Sequence, residues 1–294
     1  MKQATKALYL GLVALVCLSF ANAIAHADVI YVSNYGDNTI TKFAPDGTPS
    51  TFANSGLNYP AGLTFDSSGN LYAANVGDNT IEKFAPNGTH STFANSGLNL
   101  PVGLTFDSSG NLYVANWGDD TITKFAPNGT PSLFANSGLV APYGLAIDSS
   151  GNLYAANADN TIEKFAPDGT PSLFANSGLN LPYDLAFDSS GNLYASNFDN
   201  TIEKFAPNGT HSTFANSGLN NPAGLAFDSS GNLYVANIDN TIEKFAPNGT
   251  HATFANSGLN NPNFIAIQVP EPATWSLLAL GIATLLGSRH LRRR

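Results

Sequence analysis

Residues 222–255 read PAGLAFDSSGNLYVANIDNTIEKFAPNGTHATFA, four short runs separated by turn residues. Gly224 to Phe227 is followed by the turn Asp228-Ser229-Ser230-Gly231-Asn232, and Leu233 to Ala236 by Asn237-Ile238-Asp239-Asn240. Thr241 to Phe245 leads into Pro247-Asn248-Gly249, and a last run centres on Thr253-Phe254-Ala255. Runs of this length, apolar or β-branched and bounded by Gly, Asn and Pro, read as strands. Gly and Asn take the turns because they tolerate left-handed backbone. The first two runs are apolar at nearly every position, as expected of strands covered on both faces. The third carries Glu243 and Lys244, so the unit grades from a buried edge to a wet one.

The same unit recurs six times between residues 28 and 268. Its anchoring tyrosines are Tyr31, Tyr72, Tyr113, Tyr154, Tyr194 and Tyr234, spaced by 41, 41, 41, 40 and 40 residues. A unit repeated at this period buries its apolar faces against its own copies. Turn residues recurring every few positions exclude helical repeats, and four strands in about 40 residues suit a propeller blade. The ends of the array complement one another. The first copy starts at Asp28 with its second strand, DVIYVSN, whereas Pro262-Asn263-Phe264-Ile265-Ala266-Ile267 follows the sixth copy as an unpaired first strand. The expected fold is all-β: a six-bladed β-propeller with four antiparallel strands per blade, closed by residues 263–268 joining blade one.

The P-x-G-L-A-x-D-x-x-G-N-L-Y-V-A run resembles the NHL-repeat propellers and, more distantly, the gluconolactonase-like six-bladed propellers, over the whole of residues 28–268. The resemblance implies the fold. It implies little about activity, because such propellers host lyases, lactonases and binding modules.

Two short segments flank the array. Lys2 and Lys6 precede an apolar run from Ala7 to Phe20, and Ala25-His26-Ala27 makes a small-residue cleavage site. Residues 1–27 therefore read as a secretory signal peptide cut before Asp28. Cys17, the chain's single cysteine, lies inside it, so the exported chain has no thiol and no disulfide. Residues 269–294 begin with Pro270-Glu271-Pro272, continue through an apolar stretch from Trp275 to Gly287, and end in Arg289, Arg292, Arg293 and Arg294. The stretch is marginal for crossing a bilayer, and the arginines favour a cytoplasmic end. In that order the three parts resemble the PEP-CTERM sorting signal. That resemblance implies an exosortase as processing partner, transient membrane contact through this segment, and a bacterial setting in which exopolysaccharide is made.

Between Asp28 and Gln268 there are six lysines, no arginine and twenty acids, a net charge of −14 where the whole chain carries −9. A body this acidic repels phosphate backbones and argues against nucleic-acid binding. Glu82, Glu163, Glu203 and Glu243 lie on the third strand, far from a central channel. His90, His211 and His251 share one position at the start of the outermost strand, where the other copies have Pro49, Pro131 and Pro171, and they read as solvated edge residues. Gluconolactonase-like enzymes hold a divalent metal over the channel. Here Asn263 occupies one such position and Asp184 replaces the neighbouring glycine, but no glutamate completes the set, leaving these two as weak metal candidates and no cofactor expected. The D-S-S-G-N and D-N-T-I loops suggest structural calcium only faintly, since each offers one or two carboxylates where calcium takes six to eight oxygens.

Variation gathers on one side of the disc. The residue after the A-N or S-N pair runs Tyr35, Val76, Trp117, Ala158, Phe198, Ile238, and the residue after the interblade proline runs Ala61, Val102, Tyr143, Tyr183, Ala223, Asn263. The turns of the opposite face hardly vary. Tyr35, Trp117, Tyr143, Tyr183 and Phe198 are thus the candidate ligand-binding residues, a platform for sugar rings or a protein partner. The reading that follows is an exported, non-catalytic, cell-surface or extracellular propeller that binds or scaffolds an extracellular polysaccharide or surface protein. The alternative is a metal-dependent lactonase or lyase of the gluconolactonase-like class.

Overall fold

Each copy of the repeat folds into a four-stranded antiparallel meander, as in blade two, where Pro60–Phe65, Leu71–Asn75, Thr80–Phe84 and His90–Ala94 lie side by side. The computed structural model describes residues 28–268; the expected signal peptide 1–27 and the sorting segment 269–294, with Pro270, Glu271, Pro272, Arg292, Arg293 and Arg294, lie outside the described residues. Four further blades repeat this pattern, and blade one is composite. Pro262–Gln268 supplies its innermost strand and pairs antiparallel with Val29–Asn34, Val29 opposite Gln268 and Val32 opposite Ile265. The six innermost strands stand neighbour to neighbour, and 262–268 returns to pack against 60–65, closing the ring.

The second strands are buried at every position because a blade covers each face. In four of the six interblade layers the anchoring tyrosine is wedged between two phenylalanines, as where Tyr72 meets Phe93 of its own outer strand at 5.1 Å and Phe106 of the next blade at 4.9 Å, both edge to face; Tyr113 and Tyr234 have Ile147 and Ile267 in place of the second ring. Such pairs each add about 0.5–1.5 kcal/mol beyond area burial. Phe43, Phe84, Phe125, Phe165, Phe205 and Phe245 are fully buried, one per third strand. At about 1.5–3 kcal/mol per side chain they form the backbone of the core.

The innermost strand is irregular at its upper end, with a bulge between Pro60 and Leu63 that recurs in each blade. A bulge re-aims the strand, and here it brings neighbouring blades into backbone contact at the channel neck. A Cβ on Gly62 would lie 2.1 Å from the Val102 carbonyl oxygen. The blade meander sorts its turns. Second-to-third turns and interblade links share the upper face, and D-S-S-G-N and A-P-[ND]-G-T turns share the lower one. Both ends of the described chain, Asp28 and Gln268, lie at the lower face.

Candidate binding face

The upper face is assembled by two residues per blade. The buried asparagine that ends each second strand is the first. In blade two, Asn75 Oδ1 accepts from the Asn58 backbone N–H at 3.1 Å, while its Nδ2 donates to the Gly56 carbonyl and Thr80 Oγ1 at 3.0 Å each. The second is an Asn or Asp of the turn that reaches across to the next link. Asn38, Asn79, Asp120, Asn160, Asn200 and Asn240 accept from the backbone N–H of Tyr59, Leu100, Ala141, Leu181, Asn221 and Asn261, at 2.6–2.7 Å. All twelve of these residues have positive φ, and together they are the non-glycine residues with left-handed backbone among those described. Backbone strain is thus concentrated on one face of the disc, held there by the interblade hydrogen bonds.

The five sequence-predicted aromatics occupy this face without forming a single flat platform. Tyr143 stacks on Tyr183 at 4.9 Å, and Trp117 approaches Tyr143 at 6.4 Å. Tyr183 leans on Phe264 at 5.6 Å and donates its hydroxyl hydrogen to Asn263 Oδ1 at 2.7 Å. Burial holds that hydroxyl well above the ordinary tyrosine range, the Asn263 hydrogen bond working against it. Tyr143 and Tyr183 therefore plug the channel mouth together with Ala61, Val102 and Phe264. Tyr35, half-buried, packs on Tyr59 at 4.9 Å. Trp117 and Phe198 stand outward at 40% and 57% exposure, and Phe198 makes no aromatic contact among the described residues. Sequence reasoning missed Tyr59, Val140 and Leu181, which are also exposed here. For Tyr59 and Leu181 the signal was the residue before the interblade proline, which varies as freely as the one after it, and Val140 stands one place further back.

The two weak metal candidates are already engaged. Asp184 is buried, and its Oδ1 accepts from the Leu185 N–H and its Oδ2 from the Leu225 N–H, both at 2.8 Å. Burial pushes its carboxyl up to about 7, with the two backbone hydrogen bonds opposing the shift. The Asp184 N–H donates to Ser196 Oγ, which donates to the Ala223 carbonyl. Blade one repeats the device: Phe264 replaces the bulge glycine, and its N–H donates to Ser33 Oγ, which reaches the Ala61 carbonyl. Asn263 Oδ1 is taken by Tyr183. No group of three or more His, Cys, Asp or Glu converges among the described residues. In the D-S-S-G-N turns the aspartate serves its own backbone, Asp66 Oδ1 accepting from Ser68 and Asn70 N–H at 2.9 Å. Burial pushes Asp66 up, but these bonds outweigh it and hold its carboxyl below the ordinary range.

The histidines of the outermost strands are exposed, as expected, but three of the outer-strand glutamates differ from expectation. Glu82, Glu203 and Glu243 are buried, not solvated. Each carboxylate takes the Nδ1 of His90, His211 or His251 at 2.9–3.0 Å and the hydroxyl of Thr92, Thr213 or Thr253 at 2.5–2.6 Å. The cause is the neighbouring blade, whose link lies over this corner: Ser55 Oγ is 3.4 Å from His90 Nε2, and Ser217 Oγ stands likewise to His251. Serine, imidazole and carboxylate are also the members of an acyl-transfer relay. Pro49, Pro131 and Pro171 nevertheless take the imidazole's place in the other three blades with the same fold, which marks the cluster as a tie between blades.

A PEP-CTERM protein-sorting motif matches residues 268–294. It indicates export and membrane-associated sorting by an exosortase-type enzyme. No curated protein matches the chain. Among solved structures, a nidogen/laminin complex is similar with a TM-score of 0.74 at 20% identity, covering 82% of this chain and 98% of that one. A gluconolactonase from Xanthomonas campestris is similar with a TM-score of 0.63 at 15% identity, covering 84% of each. A streptogramin B lyase gives 0.61 at 17% identity, covering 80% of this chain and 76% of that one. The molecule is a six-bladed β-propeller with a nidogen/laminin complex, a gluconolactonase and a lyase among its structural neighbours, and it carries a PEP-CTERM motif.

Proposed function

We propose that this chain is a non-catalytic propeller displayed at the cell surface or released from it, whose upper face binds an extracellular polysaccharide or a surface protein. One observation carries the reading. Of the eight large hydrophobic side chains exposed among the described residues, six stand on the upper face: Tyr59, Trp117, Val140, Leu181, Phe198 and Ile238. Apolar surface gathered on one side, beside strained loops, is what a docking face requires. The nidogen/laminin structure supports it as an instance of this fold docking another protein.

The test is retention of the exported protein on a gel carrying the exopolysaccharide of its own host, alongside pull-down from the host's surface-protein fraction. Trp117→Ala with Phe198→Ala removes two outward rings that pack on little else. The expected outcome is at least a tenfold loss of retention on one of the two matrices with an unchanged melting temperature, since exposed aromatic anchors carry binding energy of this order. Unchanged retention on both ends the proposal. A tightly held stoichiometric divalent ion, released by Asp184→Asn, would instead favour the lactonase-like reading.

A further inference from the structure

The lower face carries a second kind of feature, independent of the aromatic face. Between blades four and five lies a groove of 510 Å³ lined by Ser149, Tyr154, Lys164, Phe174 and Pro207 together with two aspartates, Asp148 and Asp188. Between blades two and three the same positions, Ser67, Tyr72, Lys83, Phe93 and Pro127 with Asp66 and Asp107, line one of 310 Å³. Phenylalanine, tyrosine and proline give each groove an apolar wall. The lysine lies over the tyrosine ring, at 5.3 Å for Lys164 and 5.2 Å for Lys83, and reaches the turn aspartate at 3.9 and 3.5 Å.

At the ring closure the corresponding position is occupied by the chain itself. Asp28 Oδ2 accepts from both the backbone N–H and the hydroxyl of Ser229, each at 2.7 Å. Ser67, Ser108, Ser149 and Ser189 hold the equivalent position in blades two to five. Among the described residues, no protein group accepts from their N–H or hydroxyl. Four copies of a two-pronged donor thus stand open beside an apolar wall and a lysine, and the fifth is filled by a carboxylate.

We propose that these lower-face grooves bind the carboxylate-bearing sugars of an acidic polysaccharide. The sugar carboxylate takes the place that Asp28 takes on Ser229, and its ring lies along the Phe and Pro wall. Aspartate in the same turn, already bonded to its own amides, offers remaining lone pairs to sugar hydroxyls. The acidic body opposes a polyanion at long range, so one groove binds weakly and the ring of equivalent grooves supplies the strength through multivalency. At physiological ionic strength the Debye length is about 8 Å, which screens the distant charges more than a contact inside the groove.

The experiment uses the exported full-length protein on polygalacturonate gel and on neutral dextran gel at physiological salt. The expected result is retention on polygalacturonate alone. Placing a glutamate at all four serines that line the two grooves, Ser67→Glu, Ser108→Glu, Ser149→Glu and Ser189→Glu, is expected to weaken it about 100-fold with the melting temperature little changed, since these hydroxyls hold nothing in the fold. Asp28→Ala, which opens the fifth groove, is expected to strengthen it. Absence of retention by the native protein, equal retention on dextran, full retention by the folded quadruple variant, or weaker retention by folded Asp28→Ala would each overturn the proposal. Trp117→Ala with Phe198→Ala alters only the upper face and is expected to leave polygalacturonate retention unchanged, so the two readings fail separately.

Discussion

At the scale of the residue, Asp184 shows how one substitution in a repeat forces others around it. Four blades carry glycine at this position, Gly62, Gly103, Gly144 and Gly224, because the neighbouring backbone leaves no room for a Cβ. Asp184 fits by spending both oxygens on backbone N–H groups, one in its own strand and one in the next blade. Its carboxyl is raised to about 7 by burial, against about 3.9 in an unfolded chain. Below about pH 4 it is protonated in both states and contributes no pH dependence. Between about 4 and 7 the unfolded chain releases a proton that the folded chain retains, so stability from this group falls as pH rises and levels off above 7. Asp184→Gly with Ser196→Ala, which restores the arrangement of the other blades, is expected to remove this slope. Melting temperatures across pH 4–8 check it: the variant gains on the native protein as pH rises, by up to about 4 kcal/mol. A difference constant with pH would count against the assignment.

At the scale of the element, the outer pair of strands comes in two matched versions. In one, a glutamate on the third strand meets a histidine and a threonine on the fourth, as in Glu82, His90 and Thr92. In the other, a threonine donates to the carbonyl of the preceding blade's link, as Thr41 does to Gly258 and Thr123 to Gly97, and proline follows in place of histidine. Blade four mixes the two. Glu163 stands opposite Leu173, with Pro171 in the place histidine takes elsewhere, and its carboxyl is raised by burial and then by Asp159 nearby. Pro171→His with Leu173→Thr supplies the missing donors and is expected to stabilise the fold by about 1 kcal/mol. That corresponds to roughly 2–4 °C in melting temperature. An unchanged or lowered melting point would show that blade four tolerates its mixture at no cost.

At the scale of the whole molecule, closure rests on a single strand contributed by the far end of the chain. Removing Pro262–Gln268 leaves Val29–Asn34 with an open edge and takes Ile265 away from the apolar layer it shares with Ile30 and Val32. Exposed edges template aggregation. A chain ending at Asn261 is expected to lose its cooperative melting transition and to associate. One ending at Gln268 is expected to melt like the full-length protein. Size-exclusion chromatography with thermal melting compares them, and equal behaviour of the two would mean that five and three-quarter blades suffice.

The repeat period, the strand runs and the complementary trimming of DVIYVSN and FIAI were legible because local chemistry writes them directly: turn residues at fixed offsets, apolar runs between, and a missing strand at one end balanced by a spare at the other. The burial of Glu82 was not legible, since TIEKF shows a charged residue on an outer strand and the cover over it comes from another blade's link. Its trace in the sequence is the co-occurrence of Glu with His eight residues on. The five aromatics were placed on the correct face, yet the depth of each followed from the bulged channel neck, which sinks Tyr143 and Tyr183 and leaves Trp117 and Phe198 standing. The grooves holding Ser149 and the one filled by Asp28 exist only between blades. What the amino-acid sequence determined is the unit, its number and its closure, because those depend on near neighbours and repetition. What only the tertiary structure decided is which polar groups are spent and which stand open, because that depends on surfaces brought together from distant parts of the chain.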